Sequence, residues 1–511
     1  MKILDCTLRD GGYYTNWDFD KDCVNTYIES LNALPIDYIE VGYRSIVKPE
    51  YLGKYFYCPV YELQDIKSRT NKELAIIFNE KDIKVEHVHE LLSPIKDLIA
   101  MVRIAIDPNH LLRAIALADE IKKYGFKVGF NVMYMSKWKE NESFLADLKH
   151  INESVDYFYM VDSYGGVTPQ DVIDTIALVR THTPCELGFH GHNNLELALI
   201  NTVTALEHGV SMVDATILGM GRGAGNLKTE LLLTYLNKTG KIEVDFNALG
   251  NAIDAFQSLL DKHQWGTNLP YMISGSNSLP QKNVMDWVST RFYSFNSIVR
   301  ALDNKSNNRE DNQQFDHFST VNTSDRVLIV GGGSSVLEHK DGILEFLQRN
   351  SDIAIIHASA KNAYLFRNIS NQQFFCLVGN EGYRLEQVFQ DLKGFEGLCV
   401  LPPFPRVMGT YVPASIMENT LELKSIAFTE KYKDAHTSIA LEIVRQLEAI
   451  EVFVVGYDGY GEMVITQKEI NLNKENSYLF NTFRTAFNIE FTALTPTMYN
   501  FLPVKSIYSI I

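Results

Sequence analysis

The chain lacks a long apolar run and has fewer basic than acidic residues. No stretch of its 511 residues approaches the roughly 18 consecutive apolar residues that a membrane-spanning helix needs. The first residues also lack the charged and apolar regions of a signal peptide, so we expect a cytoplasmic protein with no membrane partner. Lysine and arginine number 47 against 63 aspartates and glutamates, which gives nucleic-acid binding no overall electrostatic support.

Cysteine is also scarce. The six cysteines are scattered without any C-x-x-C spacing, which is typical of reduced, mostly buried thiols. We therefore expect neither disulfides nor a cysteine zinc site. In contrast, the hydrophobic fraction of 46% and the charged fraction of 22% are typical of a globular protein with a sizeable core. A length of 511 residues favours one large unit and a smaller one.

Residues 1–240 alternate short apolar runs with helical stretches, a pattern typical of βα repeats around a parallel sheet. Eight runs predict a closed (β/α)₈ TIM barrel. The predicted strands are Ile3–Cys6, Tyr38–Val41, Leu74–Phe78, Ala100–Ala105, Lys127–Val132, Tyr157–Val161, Glu186–Phe189 and Met212–Ile217.

Polar side chains follow many of these runs. In a barrel the carboxyl ends of all the strands meet at one mouth, where active sites are built. We therefore expect these residues to converge there: Arg9, Asp10, Glu40, Asn79, Arg103, Asn131, Asp162, His190 and His192.

The rest of the chain predicts three further regions. Residues 241–302 indicate a helical extension, with helices over Ala252–Leu260 and Val284–Ala301. Residues 303–325 are polar and poor in apolar side chains, which indicates a solvated linker. Residues 326–511 then predict a second, smaller α/β domain of Rossmann-like type and unknown role.

The second domain opens with strand Val327–Val330, the run Gly331-Gly332-Gly333, helix Val336–Gln348 and strand Ile353–His357. A glycine-rich turn before a helix can bind an anion. However, a dinucleotide fingerprint needs a third glycine and an acidic residue after the second strand, and both are missing. The simpler interpretation is that the glycines allow close packing of strand against helix.

His190 and His192 suggest a metal site. Side chains at positions i and i+2 of a strand share one face, so both imidazoles can reach one ion. Asp10 follows the first strand, which lies beside the eighth once a barrel closes, and can add a carboxylate. Two histidines and one carboxylate leave open positions for water and substrate, which suits a Lewis-acid divalent ion.

Four ordered motifs resemble those of the DRE-TIM metallolyases, an HMGL-like family that includes 3-hydroxy-3-methylglutaryl-CoA lyase, 2-isopropylmalate synthase and 4-hydroxy-2-oxovalerate aldolase. The motifs are residues 5–12 (Asp-Cys-Thr-Leu-Arg-Asp-Gly-Gly), 39–42 (Ile-Glu-Val-Gly), 188–194 (Gly-Phe-His-Gly-His-Asn-Asn) and 219–226 (Gly-Met-Gly-Arg-Gly-Ala-Gly-Asn). The resemblance covers residues 1 to about 240 and continues more weakly toward 280. It implies the same barrel that the strand count predicts.

The resemblance also implies roles for individual residues. Asp10, His190 and His192 match the metal ligands of the family, and Asn226 matches a nearby or fourth ligand. Arg9 and Glu40 match the remaining members of its Arg, Asp and Glu trio, with Arg9 facing the developing enolate. Ser163 matches a serine that helps to hold the substrate carboxylate, although Asp162-Ser163 also fits ordinary turn chemistry.

Two departures from the family bear on the reaction. The loop at 219–226 has no cysteine, which argues against cleavage of a hydroxymethylglutaryl thioester, and it looks most like the aldolase branch. Tyr13 stands where the synthases have glutamine and the aldolases have histidine. A phenol is a poor general base unless its pKa is lowered. Tyr13 could therefore be the base, orient the substrate hydroxyl or only line the pocket, with a metal-bound hydroxide as its competitor.

The leading prediction is a divalent-metal-dependent aldolase that makes or breaks a C–C bond next to a pyruvate-type enolate. Its partner is a small-molecule 2-oxo acid, and its cofactor is Mn²⁺ or a similar ion such as Mg²⁺ or Co²⁺. One alternative is a Claisen-type acyltransferase that condenses acetyl-CoA with a 2-oxo acid. Another is a non-catalytic, ligand-binding barrel fused to an active second domain. A homo-oligomer is compatible with all three.

Overall fold

A computed structural model describes residues 1–151, 153–290, 293–309, 313–319, 323–392, 394–406, 408–460 and 466–511. The chain forms two compact units, Met1–Met285 and Asp286–Ile511, and this division falls inside the predicted extension 241–302. Of the predicted linker 303–325, residues 310–312 and 320–322 lie outside the described residues. None of the helices in the described part of the chain has the length and apolar character needed to cross a bilayer.

The first unit contains a closed barrel of eight parallel strands in sequential order, with β1 hydrogen-bonded to both β2 and β8. The predicted TIM barrel is therefore confirmed. Its strands are β1 (Lys2–Asp5), β2 (Tyr38–Tyr43), β3 (Glu73–Asn79), β4 (Met101–Ile106), β5 (Lys127–Val132), β6 (Tyr157–Asp162), β7 (Glu186–Gly191) and β8 (Met212–Ala215).

Helices surround the barrel and bury their apolar faces against it, as in α6, where Leu111, Ala114, Leu117, Ala118 and Ile121 are inaccessible to solvent. The helices of this unit are α1 (Thr7–Thr15), α2 (Lys21–Ala33), α3 (Lys54–Tyr57), α4 (Val60–Arg69), α5 (Val88–Leu92), α6 (Leu111–Lys122), α7 (Glu142–Asp147), α8 (Pro169–Arg180), α9 (Ala198–Glu207), α10 (Thr229–Lys238), α11 (Phe246–His263) and α12 (Leu269–Ser276). Helix α13 (Gln281–Thr290) spans the division between the units.

Helix α1 starts almost directly after β1 and bears three of the predicted site residues, Arg9, Asp10 and Tyr13. Positions i and i+3 or i+4 of a helix share a face, so Tyr13 lies on the same side as Arg9 and Asp10. Glycine permits the close packing that holds this helix, because a Cβ on Gly12 would lie 2.1 Å from the Trp17 ring. The segment is therefore a packed helix at the barrel mouth.

The second unit is built on a seven-stranded parallel sheet of order β13-β12-β11-β10-β9-β14-β15. The second α/β domain is thus confirmed as a parallel-sheet unit. Its strands are β9 (Arg326–Val330), β10 (Ala354–His357), β11 (Gln373–Cys376), β12 (Leu398–Leu401), β13 (Thr420–Glu422), β14 (Glu451–Val455) and β15 (Phe491–Ala493). Its helices are α14 (Phe295–Ser306), α15 (Ser335–Glu338), α16 (Lys340–Arg349), α17 (Glu381–Phe389), α18 (His436–Gln446) and α19 (Gln467–Phe487).

Two predicted helices are interrupted. The continuous helix Val284–Ala301 is wrong: α13 ends at Thr290 and α14 begins at Phe295, where the Ser294 hydroxyl accepts a hydrogen bond from the Ser297 N–H. An N-terminal serine cap of this kind starts a new helix. The helix Val336–Gln348 is likewise divided at His339, between α15 and α16.

Candidate active site

A cavity of about 160 Å³ opens at the carboxyl ends of the barrel strands. It is lined by Arg9, Asp10, Tyr13, Tyr43, Ile77, Ala105, Asn131, Met133, Tyr134, Val161, Ser163, Tyr164, His190, His192, Arg222 and Pro280. Six of the predicted site residues therefore line one cavity. Glu40 and Asn226 lie just behind this lining, and both are buried.

His190 and His192 present their rings side by side, with centroids 5.0 Å apart. The Nδ1 of His192 donates to the carbonyl oxygen of Asp162 at 2.7 Å, which leaves the Nε2 lone pair for a ligand. The Nδ1 of His190 lies 2.8 Å from the Asp214 carboxylate, and its Nε2 lies 3.7 Å from Asp10. Burial and the neighbouring His190 lower the pKa of His192 to about 3, so its ring is neutral at pH 7.

Asp10 and Asn226 complete a set of donors next to the two rings. The Asn226 amide nitrogen donates to Asp10 Oδ2 at 2.6 Å, while its buried Oδ1 has no hydrogen-bond partner among the described residues. An unpaired buried carbonyl oxygen is costly unless a ligand satisfies it. Burial opposes ionisation of Asp10, but Arg9 and the two histidines keep its pKa below the usual value. The donor set thus fits a divalent ion.

Cys6, His190 and Asp214 also lie close enough together to be considered as metal ligands. We favour the set built on Asp10 because Asp10, His190 and His192 all line the cavity, whereas Cys6 and Asp214 do not. The Cys6 thiol contacts the Ala215 carbonyl oxygen at 3.6 Å, and burial raises its pKa well above the usual value. Asp214 therefore orients His190 from behind, as carboxylates do for metal-binding histidines.

A buried network of charges fixes the site from below. Arg9 donates through Nε to Glu40 at 2.7 Å and also contacts Asp10 through Nη1. Arg103, which is inaccessible to solvent, contacts Glu40 at 3.2 Å and pairs with Asp214. Burial opposes the charge on Arg9, but Asp10 and Glu40 raise its pKa well above the usual value. Glu40 consequently holds two arginines in place rather than facing the cavity.

Tyr13 has two neighbours that the sequence analysis missed, Tyr43 and Arg222. The Tyr13 and Tyr43 hydroxyls are 3.0 Å apart, and the Arg222 guanidinium lies 4.0 Å from the centre of the Tyr13 ring. Burial alone would raise the pKa of Tyr13, but Arg222 and the hydrogen bond with Tyr43 lower it below the usual value. The lone arginine among the glycines of 219–226 was the only signal in the sequence that could have drawn attention to Arg222.

Ser163 lies on the opposite wall from α1, after β6. Its hydroxyl accepts a hydrogen bond from the Tyr134 N–H at 2.9 Å, and the Tyr134 and Tyr164 rings stack at 5.3 Å. Tyr134 adopts a left-handed backbone conformation with φ of 62°, a strained state that concentrates at functional sites. Of the other predicted polar residues, Asn131 lines the cavity, whereas Arg103 and Asp162 support it from below.

The glycine-rich loop at 219–226 brings Asn226 to the histidines. Hydrogen bonds join Asn193 to Gly225 at 2.9 Å and Leu227 to Gly191 at 3.1 Å, so the loop is tied to the end of β7. Gly225 has a φ of 78°, and a Cβ there would lie 2.2 Å from the Gly219 carbonyl oxygen. Only glycine fits this turn without strain.

The HMGL-like family profile matches residues 1–255, which contain every one of the predicted site residues. A 4-hydroxy-2-oxovalerate aldolase from Geobacillus genomosp. 3 is 32% identical over 270 residues, or 51% of this chain and 77% of the relative. This chain belongs to the HMGL-like family. The predicted class of carbon–carbon lyase is confirmed by its aldolase relatives.

Two further similar proteins show how far the similarity extends. An oxaloacetate decarboxylase from Mycobacterium tuberculosis is 27% identical over 49% of this chain and 74% of its own length. The crystal structure of the N-terminal domain of a candidate aldolase from Bacteroides vulgatus is 58% identical, with a TM-score of 0.57, and it covers 59% of this chain and all of its own. The three matches each cover between about half and three fifths of this chain.

Proposed function

We propose that the barrel is a divalent-metal-dependent aldolase that cleaves a 4-hydroxy-2-oxo acid to pyruvate and an aldehyde. The observation that carries this proposal is the donor set at the barrel mouth, in which the unpaired Asn226 Oδ1 lies beside Asp10, His190 and His192. These four residues would hold the ion. When bound, a divalent ion polarises the carboxylate and keto oxygens of a 2-oxo acid and stabilises the negative charge of an enolate.

Arg9 is the residue best placed to stabilise the enolate oxygen. Its Nε and Nη1 are engaged with Glu40 and Asp10, whereas Nη2 donates to no residue that the structure describes. Arg9 lines the cavity, so this nitrogen is available to a substrate oxygen. A charge that is already fixed before substrate binds needs no reorganisation during the reaction.

Tyr13 is the proposed base for the C4 hydroxyl. Cleavage of the C3–C4 bond requires loss of the hydroxyl proton, and the base must lie within hydrogen-bond reach of it. Tyr13 lines the cavity, and the positive charge of Arg222 together with the Tyr43 hydrogen bond favours its phenolate. Ser163, across the cavity, would bind the substrate carboxylate.

The proposal is tested by measuring pyruvate release from 4-hydroxy-2-oxopentanoate with and without a chelator. We expect turnover that a chelator abolishes and added Mn²⁺ restores. Free CoA thiol released from acetyl-CoA and a 2-oxo acid, with no pyruvate from the hydroxy acid, would instead identify an acyltransferase. Absence of turnover in both assays, with metal bound, would also contradict the proposal.

Decarboxylation of oxaloacetate is a second candidate, favoured by the decarboxylase relative and by Tyr13 in place of the aldolase histidine. Loss of CO₂ from oxaloacetate yields the same pyruvate enolate but removes no hydroxyl proton. Tyr13→Phe should therefore lower aldol cleavage by roughly 10²-fold while leaving oxaloacetate decarboxylation and deuterium exchange into pyruvate nearly unchanged. Equal rates of aldol cleavage in the variant and the wild type would place the base elsewhere.

A further inference from the structure

The second unit contains a cavity of about 570 Å³, which is larger than the cavity of about 160 Å³ at the barrel mouth. It lies at the carboxyl ends of β9 and β14, where Gly331–Ser334 follow β9 and Gly456–Asp458 follow β14. From β9 the chain proceeds outward through β10, β11, β12 and β13, and then returns to place β14 on the other side of β9. This is the point of an open parallel sheet at which the strand order reverses, and ligands bind there.

The loop after β9 is held rigidly from both sides. The Gly331 and Gly333 N–H groups donate to Val455 and Gly456 of the β14 end at 2.8 and 2.9 Å. On the other side, Lys361 Nζ donates to the Gly332 carbonyl oxygen at 3.1 Å. Within the described ranges, no residue accepts a hydrogen bond from the N–H of Gly332 or Ser334. Two backbone donors of a preformed loop thus remain for a ligand.

The start of α15 is already occupied by the protein itself. Asp458 accepts hydrogen bonds from the Ser335 N–H at 3.0 Å and from the Ser335 hydroxyl. A Cβ on Gly333 would lie 2.4 Å from this carboxylate, so glycine at this position permits the close approach of Asp458. The free donors therefore belong to the loop and not to the helix start.

The two walls of the cavity differ in chemistry. On the side of β10 and β11 lie the cationic or basic groups Lys361, Arg384 and His436. Arg384 pairs with Glu381 at 3.1 Å, but among the described residues no carboxylate pairs with the exposed Lys361 ammonium. An ammonium that has no carboxylate partner, beside unpaired N–H groups, favours an anionic group such as phosphate.

The opposite wall contains aromatic and amide side chains together with Glu475. Asn476 donates to the Tyr499 hydroxyl at 3.0 Å and accepts from Thr437 at 2.8 Å. The Tyr457 hydroxyl is 3.1 Å from the Thr437 hydroxyl, so both tyrosine rings are fixed in orientation. Rigid aromatic rings with nearby amide and hydroxyl groups suit a planar base and a sugar.

We propose that this cavity is a nucleotide site, with the phosphates at Gly332, Ser334 and Lys361 and the nucleoside against Tyr457, Asn476 and Tyr499. Its volume lies within the range of pockets that bind small molecules and cofactors. The site belongs entirely to the second unit and does not depend on the reaction proposed for the barrel.

The test is calorimetric titration of the full-length protein with ADP, GDP, CDP and UDP, and separately with the four nucleosides and inorganic phosphate. We expect at least one diphosphate to bind at one site per chain, about tenfold or more tighter than its nucleoside or phosphate alone. Lys361→Ala should weaken that binding by roughly tenfold and Lys361→Arg should retain it. Lys424→Ala removes another exposed lysine of the same unit, outside the cavity lining, and should leave binding unchanged.

Three results would overturn the nucleotide site. The first is the absence of binding by all four diphosphates. The second is binding of inorganic phosphate as tight as that of the best diphosphate, which would indicate a simple anion site. The third is unchanged affinity in Lys361→Ala, which would place the bound nucleotide elsewhere.

Discussion

The barrel cavity and the cavity of the second unit use charge in opposite ways. In the barrel, Arg9 and Arg103 are buried, and each contacts two carboxylates. In the second unit, Lys361 is exposed and bonded only to a backbone carbonyl oxygen. Fixed, desolvated charges suit the stabilisation of a charge that develops during a reaction, whereas an exposed charge suits capture of an ion from solution.

The comparison teaches that the size of a cavity is a poor guide to its chemistry. The smaller cavity, of about 160 Å³ against about 570 Å³, contains the paired histidines and the unpaired Asn226 oxygen. The predictions below separate the two sites, because each change in the barrel should leave nucleotide binding unaffected.

The largest effect is expected from loss of a metal ligand. We expect His190→Ala or His192→Ala to remove the bound ion and abolish aldol cleavage, because each deletes a nitrogen donor that the structure places beside Asp10. Metal content per chain, measured by mass spectrometry, checks this. His150→Ala removes an exposed histidine of the same unit and should retain the ion. Unchanged metal content in both ligand variants would show that the ion binds elsewhere.

Arg9→Lys should lower kcat by on the order of 10²-fold while the bound metal is retained. A lysine ammonium cannot contact Glu40 and Asp10 and still present a planar donor to substrate. Steady-state kinetics with metal analysis of the same sample checks this. Arg113→Lys, at the pair that this exposed arginine forms with the buried Glu80 outside the cavity lining, serves as the control. A near-normal kcat in Arg9→Lys would show that Arg9 has a structural role and does not stabilise the enolate.

Arg222→Leu should shift the pH dependence of aldol cleavage rather than abolish it. A base acts when deprotonated, so the rate rises with pH through the Tyr13 pKa, which Arg222 helps to lower. Removal of the positive charge raises that pKa, and the rising limb should move to higher pH by roughly one unit. Arg222→Lys should keep most of the wild-type profile. An identical profile in Arg222→Leu would argue against Tyr13 as the base.

The smallest effect is expected from removal of residues 303–511, which form most of the second unit. We expect residues 1–302 to remain soluble, folded and able to bind metal, because all eight barrel strands precede residue 216. The isolated N-terminal domain from Bacteroides vulgatus, which matches 59% of this chain, supports this expectation. Thermal unfolding and metal content of the fragment provide the measurement. An insoluble fragment would show that the domain boundary lies at another residue. Nucleotide binding by the fragment would contradict the proposed site in the second unit.

Much of the barrel could be predicted because its strands are local patterns. Runs such as Lys127–Val132 are apolar, short and spaced by helical segments, and the structure has this strand with the same bounds. The helix predicted over Val284–Ala301 failed because an apolar periodicity does not show that Ser294 caps a new helix. The site residues were predictable where a motif fixes the spacing of metal-ligand side chains, as it does for His190 and His192.

The sequence by itself determined the order of the strands, the pairing of His190 with His192 on one strand face, and Arg9, Asp10 and Tyr13 within one short segment. Only the tertiary structure decided which side chains of distant segments contact one another. It placed Asp214 behind His190, Glu40 beneath both arginines and Arg222 against Tyr13. The physical reason is that these contacts join residues up to 209 positions apart, as for Tyr13 and Arg222. Closure of the barrel brings them together, and no local periodicity encodes such a contact.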